Sequence, residues 1–545
     1  MGEPDTLGCT NGKQVKIRSG KVERQNMNRR DFLKKCGAIV AGGFVLSNRT
    51  FEVRTGVRQP HIILILADDL GYSDIGCYGG EIQTPNLDRL AAEGLRFSQF
   101  YNTAKCAPTR TSLLSGLFWQ DSGQGIKRGI TMAQALRAAG YTTLAVGKWH
   151  LNGNPVQRGF DRYFGHLSGA TDYFKGNDTW RLDEKPFTDF KEGFYSTDAK
   201  TDYAIRFIEQ AHQQTPNKPF FLYLAYNAPH YPLQAWPEDI AKYRGKYLKG
   251  WDQLRQERYD RLVDMSLIKK QWALSPRPEY IPEWESLNKK EREFEDKRMS
   301  AYAAMVDRMD QNIGRLIAKL KELSVEQNTL VMFLSDNGGC PFDRSRNYQI
   351  EPGTPESKWE YGVAWANVSN TPFRLYKQNQ HQGGVATPFI AWWPAIVRKG
   401  GAITDQCAHL IDVMPTVLEL AGWSWPRQFD GQTLPELPGK SLLPILQGKT
   451  RKPNSTLFFQ FRNHRAVITG DCPQDTLRWK LVSAYAGPWE LYRLDTDRTE
   501  LQDLAAQYPQ KVEQLEQLWL QWWGDRGESY EKGSSGPPKY YRFGE

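Results

Sequence analysis

The most specific chemical string in the sequence surrounds one cysteine. Cys106 opens the run CAPTR, which contains Pro108 and Arg110, and the segment TSLLSG follows directly. A cysteine placed just before a proline-initiated helix is more often a buried thiol than a reactive group. Taken alone, this string leaves an inert thiol and a residue recruited for chemistry both open.

Two pairs of oxygen-bearing side chains follow two apolar runs, residues 61–66 and 329–334. The four donors are Asp68, Asp69, Asp336 and Asn337. Either pair alone could be a solvated turn or a helix cap. Both pairs end apolar runs of the buried-strand type, and neither thiols nor paired histidines accompany them, so the pattern favours Ca²⁺ or Mg²⁺ over zinc.

Lysines and histidines form a second group of candidates. They are Lys148 and His150 in GKWH, His230 in NAPH, and Lys377 shortly before QGG. Histidine can move protons near neutral pH, and fixed ammonium groups can bind an anion. Each of them taken singly is more often a structural histidine or a solvated lysine.

The elements that would position these residues alternate along the chain. The apolar runs 61–66, 220–225 and 329–334 predict parallel strands, and between and around them lie helical patterns. These patterns cover residues 85–93, 131–139, 201–212 and 301–323. Strands that alternate with helices predict a doubly wound α/β sheet, in which ligands collect beyond the carboxyl ends of the strands.

The pattern changes near residue 455. Short strands are predicted there, followed by a helix over residues 509–523, which indicates a smaller α+β unit. The predicted strands are 456–461, 466–469, 479–483 and 490–494. Residues 236–298 are rich in charge and aromatic side chains and lack strong periodicity, so we interpret them as a long insertion that could wall a cleft.

The N-terminal region predicts export. A basic segment with Arg29 and Arg30 precedes an apolar stretch from 36 to 46, which resembles a twin-arginine signal, and Met27 is an alternative start to Met1. We therefore expect a leader over 1–50, a catalytic domain over 56–454, a C-terminal domain over 455–545 and a periplasmic or secreted protein. Five of the seven cysteines follow this leader, and an odd number leaves at least one without a disulfide partner.

Composition excludes some classes of partner. The net charge of +9 comes from scattered Lys and Arg residues, with no nucleic-acid motif, and no apolar run reaches the roughly 20 residues that span a bilayer. Aromatic residues that could stack on a substrate, or equally belong to the core, are Tyr173, Phe174, Trp180 and Trp236.

The CAPTR string and the segments above together resemble the sulfatase family, whose signature is C-x-P-[ST]-R. SNTPFR at 369–374 and His381 are most similar to bacterial arylsulfatases within that family. Departures are Gln382 and Asn152, where the family commonly has Glu and Gly, and extra residues around Cys472. The resemblance implies an alkaline phosphatase-like mixed sheet flanked by helices, with a smaller C-terminal α+β domain.

The resemblance also implies a set of roles. Cys106 would be oxidised to formylglycine (3-oxoalanine) by a formylglycine-generating or anaerobic sulfatase-maturing enzyme. One Ca²⁺ would be held by Asp68, Asp69, Asp336, Asn337 and the modified residue 106. The catalytic residues would be Cys106, Arg110, Lys148, His150, His230 and Lys377, of which Lys148, His230 and Lys377 would also bind substrate.

The implied reaction is hydrolysis of a sulfate monoester, either an aryl sulfate or a sulfated carbohydrate. A hydroxyl of the hydrated aldehyde would attack sulfur to give a covalent sulfate hemiester, with His230 as general acid and His150 as the base that lets sulfate leave. Two alternatives stay open: a phosphoester or phosphonate hydrolase of the same fold, and a protein that binds sulfated glycans without catalysis.

Overall fold

The computed structural model of the protein describes residues 59–452, 456–470, 478–524, 526 and 536–542. The chain divides into two compact units, Met1–Phe51 and Glu52–Glu545, and every described residue belongs to the second. The predicted leader and both possible start residues lie outside the described part. Within that part, no helix is both long enough and apolar enough to cross a bilayer.

The described strands are numbered in chain order. They are β1 (His61–Asp68), β2 (Leu95–Phe97), β3 (Phe100–Tyr101), β4 (Thr142–Lys148), β5 (Arg162–His166), β6 (Trp180–Leu182), β7 (Lys185–Pro186), β8 (Phe220–Pro229), β9 (Thr329–Ser335), β10 (Phe389–Trp392), β11 (Ala402–Thr404), β12 (Ala408–His409), β13 (Gln428–Phe429), β14 (Gln432–Thr433), β15 (Thr456–Phe461), β16 (His464–Thr469), β17 (Trp479–Ser483) and β18 (Glu490–Arg493).

The described α-helices are numbered in the same way. They are α1 (Pro85–Glu93), α2 (Cys106–Ser115), α3 (Trp119–Ser122), α4 (Met132–Ala138), α5 (Ser196–Gln214), α6 (Pro237–Ala241), α7 (Trp251–Asp264), α8 (Lys289–Glu322), α9 (Gly362–Ser369), α10 (Gln382–Val385), α11 (Val413–Ala421), α12 (Leu443–Leu446) and α13 (Pro509–Gly524). Short 3₁₀ helices cover Gly76–Tyr78, Val156–Arg158, Trp284–Ser286, Glu326–Asn328 and Leu410–Asp412.

A mixed sheet of ten strands is the centre of the fold, in the order β11-β2-β10-β9-β1-β8-β4-β5-β6-β7. The five strands β9, β1, β8, β4 and β5 are mutually parallel, whereas β10 and β6 run antiparallel to their neighbours in this group. The predicted mixed α/β sheet is confirmed. Because the five parallel strands share a direction, their carboxyl ends meet at one edge, where loop residues can form a site.

The predicted strands and helices are largely present, and the main difference is the length of α8. We expected a helix over 301–323, but α8 begins at Lys289, where Asn288 and Glu291 form a capping box. Its first turns carry charged residues that the fold buries, among them Glu295 and Arg298. Those charges hide the apolar periodicity in the sequence, so the predicted insertion 236–298 ends inside α8.

The C-terminal subdomain consists of an antiparallel sheet, β15-β16-β17-β18, and the helix α13. The predicted α+β unit is confirmed. The helix packs on the sheet through aromatic contacts: the rings of Phe458 and Trp522 stack with centroids 4.8 Å apart, and Trp519 Nε1 donates to the carbonyl of Phe459 at 3.2 Å. The boundary near 455 stays a prediction, since residues 453–455 are outside the described part.

Candidate active site

The two predicted carboxylate pairs lie side by side at the edge of the sheet. Strands β1 and β9 pair with Ala67 opposite Ser335, so the residues that follow them, Asp68 and Asp336, leave the sheet together. The backbone N–H of Asp69 donates to Asp336 Oδ1 at 3.2 Å. Asp69 adopts a left-handed backbone conformation (φ 66°), a strained state that clusters at functional sites.

Lys148 and Arg110 are buried cations that contact these carboxylates. Lys148, the last residue of β4, places Nζ 2.5 Å from Asp68 Oδ2, and the adjacent Gly147 lets β4 approach β8, since a Cβ there would lie 1.9 Å from the carbonyl oxygen of Ala225. Arg110 on α2 donates through NH2 to Asp336 Oδ2 at 2.9 Å and through NH1 to the Lys148 carbonyl at 2.9 Å.

Asp69 is the centre of a second group of contacts. Lys377 forms an ion pair with Asp69 Oδ1, and Asn337 Nδ2 donates to the same oxygen at 2.7 Å. His230, just after β8, places Nε2 3.5 Å from Asp69 Oδ2. Burial alone would raise the pKa of Asp69, but the charge of Lys377, together with the hydrogen bond from Asn337, outweighs it and lowers that pKa to about 2.

Cys106 is the first residue of α2 and is buried. Burial opposes ionisation of its thiol, yet the charges of Lys148, Lys377 and Lys105 outweigh that effect and lower its pKa. The lysines around residue 106 therefore outweigh both burial and the nearby carboxylate of Asp68. Such an environment stabilises an anion at this position, whether a thiolate or the charge of a bound ester.

The two histidines of the site are neutral in the metal-free protein. Burial, together with the charge of Lys148, lowers the pKa of His150 to about 2, and burial lowers that of His230 to about 3 despite Asp69. His150 has a left-handed backbone (φ 53°), and Gly169 packs against it so closely that a Cβ there would lie 2.7 Å from Nε2. A neutral His150 can accept a proton.

The donor set fits a hard divalent cation. Within this cluster, three buried oxygens have no hydrogen-bond partner among the described residues: Asp68 Oδ1, Asp69 Oδ2 and Asn337 Oδ1. Asp68, Asp69 and His230 each offer a ligand atom, and these atoms lie within 4.8 Å of one another. Orphaned buried carboxylate and amide oxygens are costly without a partner, and oxygen ligands favour Ca²⁺ or Mg²⁺.

Two residues near the site were not predicted from the sequence. Lys105 directly precedes Cys106 in the chain and interacts with the same charged side chains. Its place next to Cys106 in the sequence could have identified it as a site residue. Lys200 on α5 is fully buried and donates to the Asn227 side chain in the NAPH loop. Lys200 lies on the same helix face as buried Ala204 and Phe207, where an apolar residue is expected. A lysine at such a position is the sequence signal that could have identified it.

Some of the aromatic residues that could stack on a substrate lie in the core of the protein, and others line a cavity at its surface. Tyr173 is buried, and its hydroxyl donates to the carbonyls of Asn227 and His230 at 2.6 and 2.8 Å, so it supports the histidine loop. Trp180 lies in the core, and Phe174 and Trp236 line a separate apolar cavity of about 660 Å³.

The described cysteines, Cys77, Cys106, Cys340 and Cys407, are all free, and Cys472 lies outside the described residues.

Comparison with known proteins identifies the family. The sulfatase family profile matches residues 60–423, and the profile described as "N-sulphoglucosamine sulphohydrolase, C-terminal" matches residues 374–522. The chain belongs to the sulfatase family. It is a sulfuric ester hydrolase, as the convergent acid, lysine and histidine residues at one sheet edge also indicate.

Individual relatives agree with this assignment. An arylsulfatase of Klebsiella aerogenes is 34% identical over 480 residues, which is 79% of this chain and 100% of that protein. A sulfatase of Schizosaccharomyces pombe is 31% identical over 540 residues, 88% of this chain and 96% of that protein. The crystal structure of Ps i-CgsB is similar with a TM-score of 0.64 and 25% identity, over 86% of this chain and 94% of that one.

Proposed function

We propose that this sulfatase hydrolyses monoesters of sulfate, either aryl sulfates or sulfated carbohydrates, with a formylglycine made from Cys106 as the nucleophile. The observation that carries the proposal is the position of residue 106, at the start of α2 among Lys105, Lys148 and Lys377. A sulfate monoester is an anion that repels nucleophiles, so fixed cations around the attacking atom lower the barrier.

The residues of the chain divide the chemical work. We assign Ca²⁺ to Asp68, Asp69, Asp336, Asn337 and residue 106; when bound, the ion would supply positive charge to the sulfate oxygens. Lys148 and Lys377 bind those oxygens, and Arg110 polarises the nucleophile and, through its bonds to Asp336 and Lys148, orients both.

Proton transfer falls to the two histidines. One hydroxyl of the hydrated residue 106 loses its proton to solvent and attacks sulfur, the S–O bond to the alcohol breaks, and the departing alcohol takes a proton from His230. His150 then accepts the proton of the second hydroxyl, the C–O bond of the hemiester breaks to release sulfate, and water adds to the aldehyde to restore the hydrate. His150 is neutral, as a base must be. His230 must first gain a proton, and the negative charge of a bound sulfate raises its proton affinity.

The test compares a sulfate ester with a phosphate ester of the same alcohol. The enzyme, produced in a host with the maturation machinery, is assayed with 4-nitrophenyl sulfate and 4-nitrophenyl phosphate under identical conditions. We expect sulfate ester turnover to dominate. Preference for the phosphate ester would favour the phosphoester or phosphonate hydrolase, and binding of sulfated glycans without sulfate release would favour the non-catalytic alternative.

The predicted export is part of the proposal. The twin-arginine-like segment with Arg29 and Arg30 supports a periplasmic or secreted enzyme. Fractionation of cells that express the full chain tests this directly. We expect the processed protein outside the cytoplasm, and retention of all of the protein inside it, uncleaved, would contradict the prediction.

A further inference from the structure

A second cavity adjoins the active site at Lys377. It has a volume of about 410 Å³, within the range of small-molecule sites. Lys377 lines this cavity and also pairs with Asp69, so the cavity opens beside the catalytic cluster. Its other lining residues come from three distant parts of the chain: the loop 341–344, the C-terminal subdomain through His464 and Tyr485, and residues 536–541.

The last of these segments, residues 536–542, is called here the C-terminal tail. It follows α13 in the chain but is anchored on the catalytic domain. Tyr348 donates its hydroxyl to the carbonyl of Arg542 at 3.1 Å, and the Arg346 guanidinium lies 3.8 Å from the centre of the Tyr541 ring. Tyr540 packs on Trp251, with ring centroids 5.7 Å apart. The tail therefore packs on the catalytic domain beside the cavity.

Polar contacts fix the part of the cavity lining that comes from the C-terminal subdomain. His464 Nδ1 accepts from the backbone N–H of Tyr485 at 3.2 Å and from Asn379 Nδ2 at 3.2 Å. Asn379 belongs to the segment that carries Lys377, so its bond to His464 connects the C-terminal subdomain with that segment of the cavity lining. Two aromatic residues, Tyr485 and Tyr541, therefore line the same cavity, and aromatic rings suit the faces of a sugar or aryl ring.

We propose that the C-terminal tail, through Tyr541, is the outer wall of the substrate pocket and limits the enzyme to sulfate esters on a single terminal ring. This inference rests on the proposed function. A polymer that carries sulfate on an internal residue needs an open cleft with two exits. Here Tyr541 of the tail and Tyr485 of the C-terminal subdomain line one cavity of about 410 Å³, near the lower end of the volumes of small-molecule sites, so we expect chain ends and small esters to enter it and internal residues to be excluded.

The test uses Tyr541→Ala and a chain that ends at residue 535. The matched control is Tyr508→Ala, because Tyr508 is exposed to a similar extent, 42% against 37% for Tyr541, but lies outside the cavity. Hydrolysis of 4-nitrophenyl sulfate is measured for each matured protein, alone and with dextran sulfate as a polymeric competitor. Thermal unfolding confirms that each variant is folded.

For Tyr541→Ala we expect KM for 4-nitrophenyl sulfate to rise about tenfold with kcat nearly unchanged, since the lost ring positions the substrate without touching the reacting atoms. Dextran sulfate should inhibit this variant and the shortened chain at least about tenfold more strongly than the full chain and Tyr508→Ala.

Two outcomes would overturn the inference. One of them leaves the proposed function intact, and the other overturns it as well. Equal KM and equal inhibition in all four proteins would overturn the role of the tail alone, since sulfate ester turnover would still stand. Absence of 4-nitrophenyl sulfate turnover in the full matured chain would overturn the proposed function together with the inference. If the shortened chain does not fold, Tyr541→Ala decides the question, because its side chain is partly exposed.

Discussion

Lys148 Nζ lies 2.5 Å from Asp68 Oδ2, and both side chains are shielded from solvent. This ion pair joins the carboxyl end of β4 to that of β1, two strands that are separated in the sheet by β8. Burial alone would raise the pKa of Asp68, but the charges of Lys148 and Arg110 hold it well below its ordinary value. Asp68 is therefore ionised and available to a metal ion as well as to Lys148.

Lys148→Met should reduce kcat/KM for an aryl sulfate by about 10²- to 10³-fold, the usual loss when one preorganised cation or donor is removed. The substitution keeps most of the length of the side chain and removes the ammonium group that pairs with Asp68. The measurement is steady-state hydrolysis of 4-nitrophenyl sulfate. Lys175→Met is the control, because Lys175 is an exposed lysine whose ammonium group pairs with exposed Glu356; a matching loss there would show that the effect is not specific.

Cys106 should be found as formylglycine when the protein is isolated from a host with the maturation machinery. Mass spectrometry of the peptide that contains residue 106 checks this, and Cys106→Ala should leave the fold intact and abolish turnover. Cys407→Ala is the matched control, since Cys407 is also a buried free thiol but is not part of the site. Full activity in a protein that carries only the unmodified thiol would contradict the mechanism.

Removal of the metal ion should inactivate the enzyme and lower its thermal stability, because an ion that binds only the folded state stabilises it by mass action. A chelator should do both, and added Ca²⁺ should reverse both effects. Asn337→Ala should weaken the response to Ca²⁺ by about 10- to 100-fold.

Asn328→Ala is the control for this experiment. Asn328 lies just before the opposite end of β9 and donates to the carbonyl of Gln59 at 3.2 Å, away from the carboxylates. It should keep the Ca²⁺ dependence of the full enzyme. Chelator-resistant activity in the unaltered protein would rule out the metal assignment.

Two buried lysines should respond oppositely to replacement by methionine. Lys480 pairs with buried Glu500 at 2.6 Å, so Lys480→Met leaves a buried carboxylate unpaired and should cost about 3–5 kcal/mol of unfolding free energy. Lys200 contacts Asn227 and the ring of Trp180 but forms no ion pair within the described residues. Lys200→Met should therefore be neutral or stabilising.

Lys200→Met should nevertheless lower kcat, because Asn227 loses one of its two donors, Lys200 and Ser196, and with it part of the support for the segment that leads to His230. Urea unfolding and aryl sulfate hydrolysis, measured on the same preparations, separate the two effects. A strongly destabilised Lys200→Met with unchanged kcat would contradict this positioning role.

Stability should fall as the pH drops below about 6.5. Burial lowers the pKa of His409 to about 4, while the unfolded chain has the ordinary value near 6.5, so between these values the unfolded state binds more protons. This histidine alone should cost about 3 kcal/mol of stability between pH 7 and pH 4. Urea midpoints from pH 7.5 to 4.5 measure the decline.

His409→Asn should show a shallower decline, because asparagine can accept the bond from the Ile411 N–H without taking up a proton. Identical pH dependence in the two proteins would show that His409 does not contribute. The other buried histidines with lowered pKa act in the same direction, so the variant should retain part of the decline.

Much of the fold was predictable because local patterns were strong. The helix predicted over 85–93 is α1 without change, and the strand predicted over 479–483 is β17. The start of α8 was missed, since its charged first turns are buried only by contacts such as that between Arg298 and Asp343, 3.0 Å apart. Such pairs are distant in sequence, and periodicity does not reveal them.

The sequence by itself determined the family and the identity of the candidate residues, because CAPTR, GKWH and NAPH are contiguous strings whose chemistry depends on local order. Only the tertiary structure decided which of these residues contact one another. The pairing of Lys148 with Asp68 and of Lys377 with Asp69 depends on strand order in the sheet. The proposed substrate pocket depends on a tail that contacts the catalytic domain through segments almost 200 residues apart, Tyr348 and Arg542. Long-range packing of this kind has no local signal in the chain.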